Sequence, residues 1–111
     1  MANLEHWRLD EWLDRCIELG YDMKVPHEVT NFFYAQSHEV ALGLAEALHQ
    51  VGHRILARGE LRELETGEIW MVKTEIVARL DQASMEAMIA LCETMAQAKD
   101  AIYDGWEVGR P

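Results

Sequence analysis

Residues 65–77 decide how this chain is read: Glu65-Thr66-Gly67-Glu68, then Ile69-Trp70-Met71-Val72-Lys73-Thr74-Glu75-Ile76-Val77. A turn in which Gly67 can take positive φ precedes a run of β-branched and aromatic residues, the pattern of a hairpin. Lys73 and Glu75 set the parity of the run. Odd positions face solvent, so Trp70, Val72, Thr74 and Ile76 face a core. The strand before the turn runs roughly from His53 to Leu61, and its Arg54 and Arg58 suit a sheet edge.

Working outward, the hairpin is flanked by helices. On the N-terminal side Ala41, Leu44, Ala45, Leu48 and Val51 recur at helical spacing, with Ser37 as the expected cap and Gly52 as the stop. On the C-terminal side Met85, Met88, Ile89, Cys92, Met95 and Ala96 share one face, and Ser84 is the expected cap. Beyond the helices, Val29 to Ala35 (VTNFFYA) and Ile102 to Val108 read as strands. The order β-α-β-β-α-β predicts an α+β fold, a ferredoxin-like sandwich with a four-stranded antiparallel sheet and two helices on one face. An extra helix comes first: Leu9, Trp12, Leu13, Cys16 and Ile17 line one side, Gly20 stops it, and Asn3 caps it if it begins that early. The reading is therefore one domain over residues 1–111, with the N-terminal helix within 1–20 and the core over 28–108.

Such a sheet has a second face. With Val29 and Phe33 turned to the helices, Thr30, Phe32, Tyr34, Ile69 and Met71 lie on that face. Either the N-terminal helix or a partner is expected to cover part of it.

Charge bounds the function. Ten basic side chains stand against twenty acidic ones, a formal net charge of −10. That sign opposes a phosphate backbone, so direct nucleic-acid binding is not expected. It favours basic partners such as arginine-rich protein segments, beside the plainer reading that acidity keeps the chain soluble. The acidic side of the first helix, Asp10, Glu11, Asp14 and Glu18, is the candidate partner-binding surface, together with Tyr103. No apolar run is long enough to span a bilayer and the N-terminus lacks a leader pattern, so a cytoplasmic protein without membrane association is expected. Cys16 and Cys92 sit in no paired motif and read as buried free thiols.

Catalysis finds little support. His49 and His53 have the spacing of a helical metal pair, but Gly52 between them ends the helix and turns His53 away. No phosphate loop or nucleophile elbow is present. No metal or cofactor is expected, and the remaining enzyme reading is a small ferredoxin-like catalyst using the open sheet face as a pocket.

The end of the chain carries Tyr103-Asp104-Gly105-Trp106, two large aromatics around an Asp-Gly pair. In one reading Gly105 permits a bulge, Asp104 accepts turn amides and Trp106 packs into the core. In the other, Tyr103 and Trp106 form an exposed anchor of the kind found at interface hot spots. The residue types favour the first reading for Trp106 and leave both open for Tyr103.

These four residues, closing the last helix-to-strand connection within this element order, resemble the regulator of ribonuclease activity B family. The helix end from Leu44 to Gly52 followed by a strand fits the same pattern, and the resemblance covers roughly residues 9 to 108. It implies a non-catalytic bacterial protein that binds ribonuclease E, in that enzyme's scaffold region, inhibits it and alters RNA turnover. The alternative is an acidic immunity-type protein that neutralises a basic toxin nuclease.

Overall fold

The computed structural model describes residues 8–64 and 67–110. Asn3, and Glu65 and Thr66 of the expected turn, lie outside the described residues. The elements are α1 (Leu9–Glu18), β1 (Pro26–Ala35), α2 (His38–Gln50), β2 (Arg54–Leu64), β3 (Gly67–Arg79), α3 (Gln82–Ala98) and β4 (Ile102–Val108). The strands form one antiparallel sheet in the order β2-β3-β1-β4, so β2 and β4 are its edges.

Parity follows the alternation of the sequence. On β1, Val29, Asn31, Phe33 and Ala35 are buried while Thr30, Phe32 and Tyr34 are half-buried on the opposite side. On β3, Val72 and Thr74 are fully buried, with Trp70 and Ile76 packed at the margin of the core. The covered face of the sheet meets Ala41, Leu44, Ala45 and Leu48 of α2 and Met85, Met88, Cys92 and Ala96 of α3. Burying each Leu or Met among them contributes about 1.5–3 kcal/mol before the conformational entropy it loses.

Two expectations are corrected. β1 begins at Pro26 rather than Val29, because proline is tolerated at the first residue of a strand. α3 is capped by Asp81, whose carboxylate accepts the Ser84 amide at 2.7 Å, and Ser84 itself lies inside the first turn. Asp and Ser are equivalent caps, and β3 runs on to Arg79, so the first competent residue after the strand takes the position.

α1 is one of the two candidates to cover the second face. It does not cross the open sheet face. Its Trp12 meets Trp106 edge-on, ring centroids 5.4 Å apart, and Trp106 sits opposite Asn31, which faces the helices. α1 therefore extends the helical layer beside α3. At this outer position it buries only a narrow stripe, Trp12, Leu13 and Cys16, and Ile17 remains 58% exposed. All three helices thus lie on one side of the sheet.

Candidate functional site

The β4 strand carries the motif and a break in register. Phe32 pairs with Gly105 and Phe33 with Tyr103, so Asp104 has no opposite residue, and Gly105 adopts φ 117°. That angle is open to glycine and strained for any other residue. The bulge resets the alternation of the strand. Tyr103 and Trp106, an odd and an even position, consequently both turn toward the helices. Ile102, Asp104 and Glu107 are left on the other side.

Each aromatic is then held differently. Trp106 is 1% exposed and packs against Trp12. Tyr103 is half-buried with its ring 5.1 Å from Phe33, and its hydroxyl donates to Asn31 Oδ1 at 2.6 Å. The Asn31 amide donates in turn to Met88 Sδ at 3.6 Å. Burial, with Cys92 and Glu93 close by, holds the Tyr103 phenol above the usual tyrosine range. The motif therefore ties the last strand to the core. The signal for this network was Asn31, a polar residue at an inward strand position, which requires a partner once buried.

A second buried polar pair lies under β3. His53 is 1% exposed and its Nδ1 lies 2.8 Å from Thr74 Oγ1, while its Nε2 has no hydrogen-bond partner among the described residues. Gly52 (φ 99°) ends α2, and the His53 amide closes that end on the Leu48 carbonyl at 3.0 Å. This turn separates His53 from His49. Burial pushes the imidazole below its ordinary pKa. Burial also pushes the thiols up, Cys16 to about 11 and Cys92 to about 12, so both are protonated and inert at neutral pH. Among the described residues no three His, Cys, Asp or Glu side chains are arranged to hold a metal ion.

The acidic side of α1 is exposed as its spacing requires, but it is not bare. Arg8 bonds Asp10 at 2.8 Å and approaches Glu11 at 3.9 Å, while Arg15 bonds Glu18 at 3.0 Å. The Arg8 hydrogen bond holds the Asp10 carboxyl below the usual range. Asp14 shares this helix and completes the set. The sequence carried the signal in Arg8 and Arg15, two or three positions from their carboxylates.

The other sheet face carries no helix among the described residues. Phe32 and Tyr34 project from its middle strand, with Met71, Lys73 and Glu75 of β3 on one side. The Lys73 ammonium lies 5.7 Å from the centre of the Phe32 ring. Glu75 accepts from Arg54 on β2 at 2.6 Å. Burial first, then the charge of Asp104 and a hydrogen bond to it, raises the Tyr34 phenol, which places the bulged carboxylate beside that ring. No helix among the described residues is long and apolar enough to cross a membrane.

The described residues thus form one helical layer on one sheet, whose other face carries mixed aromatic and charged side chains. The family model for regulator of ribonuclease activity B matches residues 9–108, and the chain belongs to that family. The family is one of regulators of ribonuclease activity. A search of the curated proteins found no match.

Proposed function

We propose that this protein is a non-catalytic, cytoplasmic inhibitor that binds ribonuclease E and thereby slows RNA turnover. The family match over residues 9–108 carries the proposal, because it spans nearly every described element. The net charge of −10 supports the choice of a basic partner segment such as an enzyme's scaffold region. The same charge argues against a direct contact with the RNA substrate. Asp10, Glu11, Asp14 and Glu18 steer the encounter in this reading. Tyr103 contributes indirectly, by fixing β4 through Asn31. We also read the chain as one domain of ferredoxin-like kind, supported by the β-α-β-β-α-β order after α1 and by the strand order β2-β3-β1-β4.

The test is cleavage of a short single-stranded RNA by purified ribonuclease E carrying its scaffold region, with this protein titrated in. The expected result is saturable inhibition, with no cleavage by the protein alone and no retardation of the RNA by it. Inhibition that vanishes when the scaffold region is deleted would support that docking place. Undetectable binding even at low salt would sink the ribonuclease E assignment and bring forward neutralisation of a basic toxin nuclease.

A further inference from the structure

We propose that the open face of the sheet is the docking surface for an extended, arginine-rich protein segment, held by the rings of Phe32 and Tyr34 and by the carboxylates beside them. The inference deepens the proposed function and rests on it only in taking a basic protein segment as partner.

Among the described residues, no helix covers this face. All three helices lie on the other side, where α1 is held by Trp12 on Trp106. The β1 side chains on it are half-buried and do not make an ordinary solvated surface. Phe32 and Tyr34 stand two positions apart on the middle strand and project the same way. Strand geometry separates such rings by about 7 Å, the spacing of alternate side chains on an extended peptide. Ile102 on β4, opposite Tyr34, adds an apolar side chain that is 63% exposed.

The chemistry selects cations. Lys73 already holds its ammonium over the Phe32 ring, so the face presents a ring surface that accepts positive charge. Asp104, pushed out of the strand by the bulge, stands beside Tyr34, and Glu107 follows on the same side opposite Thr30. A ring next to a carboxylate is the pair of features that arginine uses better than lysine. The guanidinium stacks flat on the ring while its edge donates two parallel bonds to the carboxylate. The overall charge of −10 attracts such a segment from a distance and disfavours pairing with a second copy of the same chain.

The test uses the full chain, a fluorescent peptide of alternating arginine and serine, and its lysine counterpart, read by anisotropy. The arginine peptide should bind more tightly than the lysine peptide at equal salt. The double variant Phe32→Leu/Tyr34→Leu keeps apolar bulk but removes the rings, and should weaken arginine-peptide binding roughly tenfold. Glu107→Gln should weaken it less, and a melting temperature measured for every variant separates lost binding from lost folding. Equal binding of the two peptides, or an arginine-peptide affinity indifferent to the double variant, overturns the proposal. So does a wild-type dimer in sedimentation that the double variant dissolves, since the face would then belong to a second copy. Measuring ribonuclease E in parallel separates the two readings. Peptide binding through this face without enzyme binding leaves the docking surface standing and removes the enzyme. Enzyme binding unaffected by the double variant does the reverse.

Discussion

The two faces of the sheet follow opposite rules. On the covered face, the buried polar side chains are largely paired with one another, Asn31 with Tyr103 and Thr74 with His53, while His53 Nε2 and Trp106 Nε1 find no hydrogen-bond partner among the described residues. On the open face, charged and aromatic groups lie side by side, Lys73 over Phe32 and Asp104 beside Tyr34. The covered face gains stability from water exclusion, so each buried atom matters to folding. The open face keeps its groups in contact with water, where they cost little and stay available. Stability and recognition are thus divided between the two sides of the same strands, and alternate residues of β1 serve alternate purposes.

The sharpest way to break that division is at Trp106. Trp106→Ala removes a ring that is 1% exposed and that Trp12 packs against, and should cost on the order of 3–5 kcal/mol. Chemical denaturation measures it. A midpoint that does not move would mean that the covered face tolerates loss of its largest contact, and the contrast would collapse. A double-mutant cycle with Trp12→Ala should return a coupling of about 0.5–1.5 kcal/mol for the edge-on ring pair.

Tyr103→Phe is the next step down. It keeps the ring on Phe33 and deletes only the hydroxyl donated to Asn31 Oδ1. Leaving that buried acceptor unpaired should cost about 1–3 kcal/mol. Arginine-peptide binding by the folded variant should be unchanged, because the hydroxyl lies on the covered side. Loss of binding with no loss of stability would show that Tyr103 belongs to the recognition surface after all.

These two residues also mark how far the sequence could be read. The alternation in IWMVKTEIV and the helical spacing of Leu44, Ala45 and Leu48 gave the element order and the covered face of β3, because each is a local periodicity. Gly105 announced a bulge. Two facts were not local. The apolar stripe of α1 says which side of that helix is buried but not against what, and only Trp106 places it beside α3. Asn31 at an inward position demanded a partner, yet its donor lies 72 residues away and becomes reachable only through the β1–β4 register. The acidic residues of α1 were legible from spacing, whereas their pairing with Arg8 and Arg15 depends on rotamers that no periodicity fixes.

A smaller effect should appear with pH. The buried His53 imidazole has its pKa depressed in the folded state by desolvation, so the unfolded chain binds the proton more readily. Stability from this site is fully present above the ordinary histidine pKa of about 6.5 and is lost as pH falls below it toward the folded value. Unfolding free energy measured from pH 7.5 down to pH 5 should fall on the acid side, and His53→Gln should flatten part of that slope. An unchanged slope would show that His53 meets its proton equally well in both states, and that the covered face is wetter than its burial implies.

The smallest effect on stability, and the one most specific to recognition, is expected at α1. Asp10, Glu11, Asp14 and Glu18 are exposed, and their pairs with Arg8 and Arg15 lie in water, where such pairs contribute little to folding. Replacing all four by their amides should leave the melting temperature nearly unchanged. It should still remove four negative charges from one side of the molecule, offset locally by only two arginines. Charges of this kind accelerate encounter more than they hold a complex, so the on-rate for ribonuclease E should fall while the off-rate stays close to wild type. Raising ionic strength shortens the screening length from about 30 Å at 0.01 M to about 8 Å at 0.15 M, so the gap between mutant and wild type should narrow with salt. Surface plasmon resonance at these two salt concentrations reads both rates. A slower on-rate that persists unchanged at the higher salt would mean that α1 touches the partner directly. An on-rate equal to wild type at low salt would mean that attraction comes from elsewhere, and the carboxylates around Tyr34 on the open face are then the charges to neutralise.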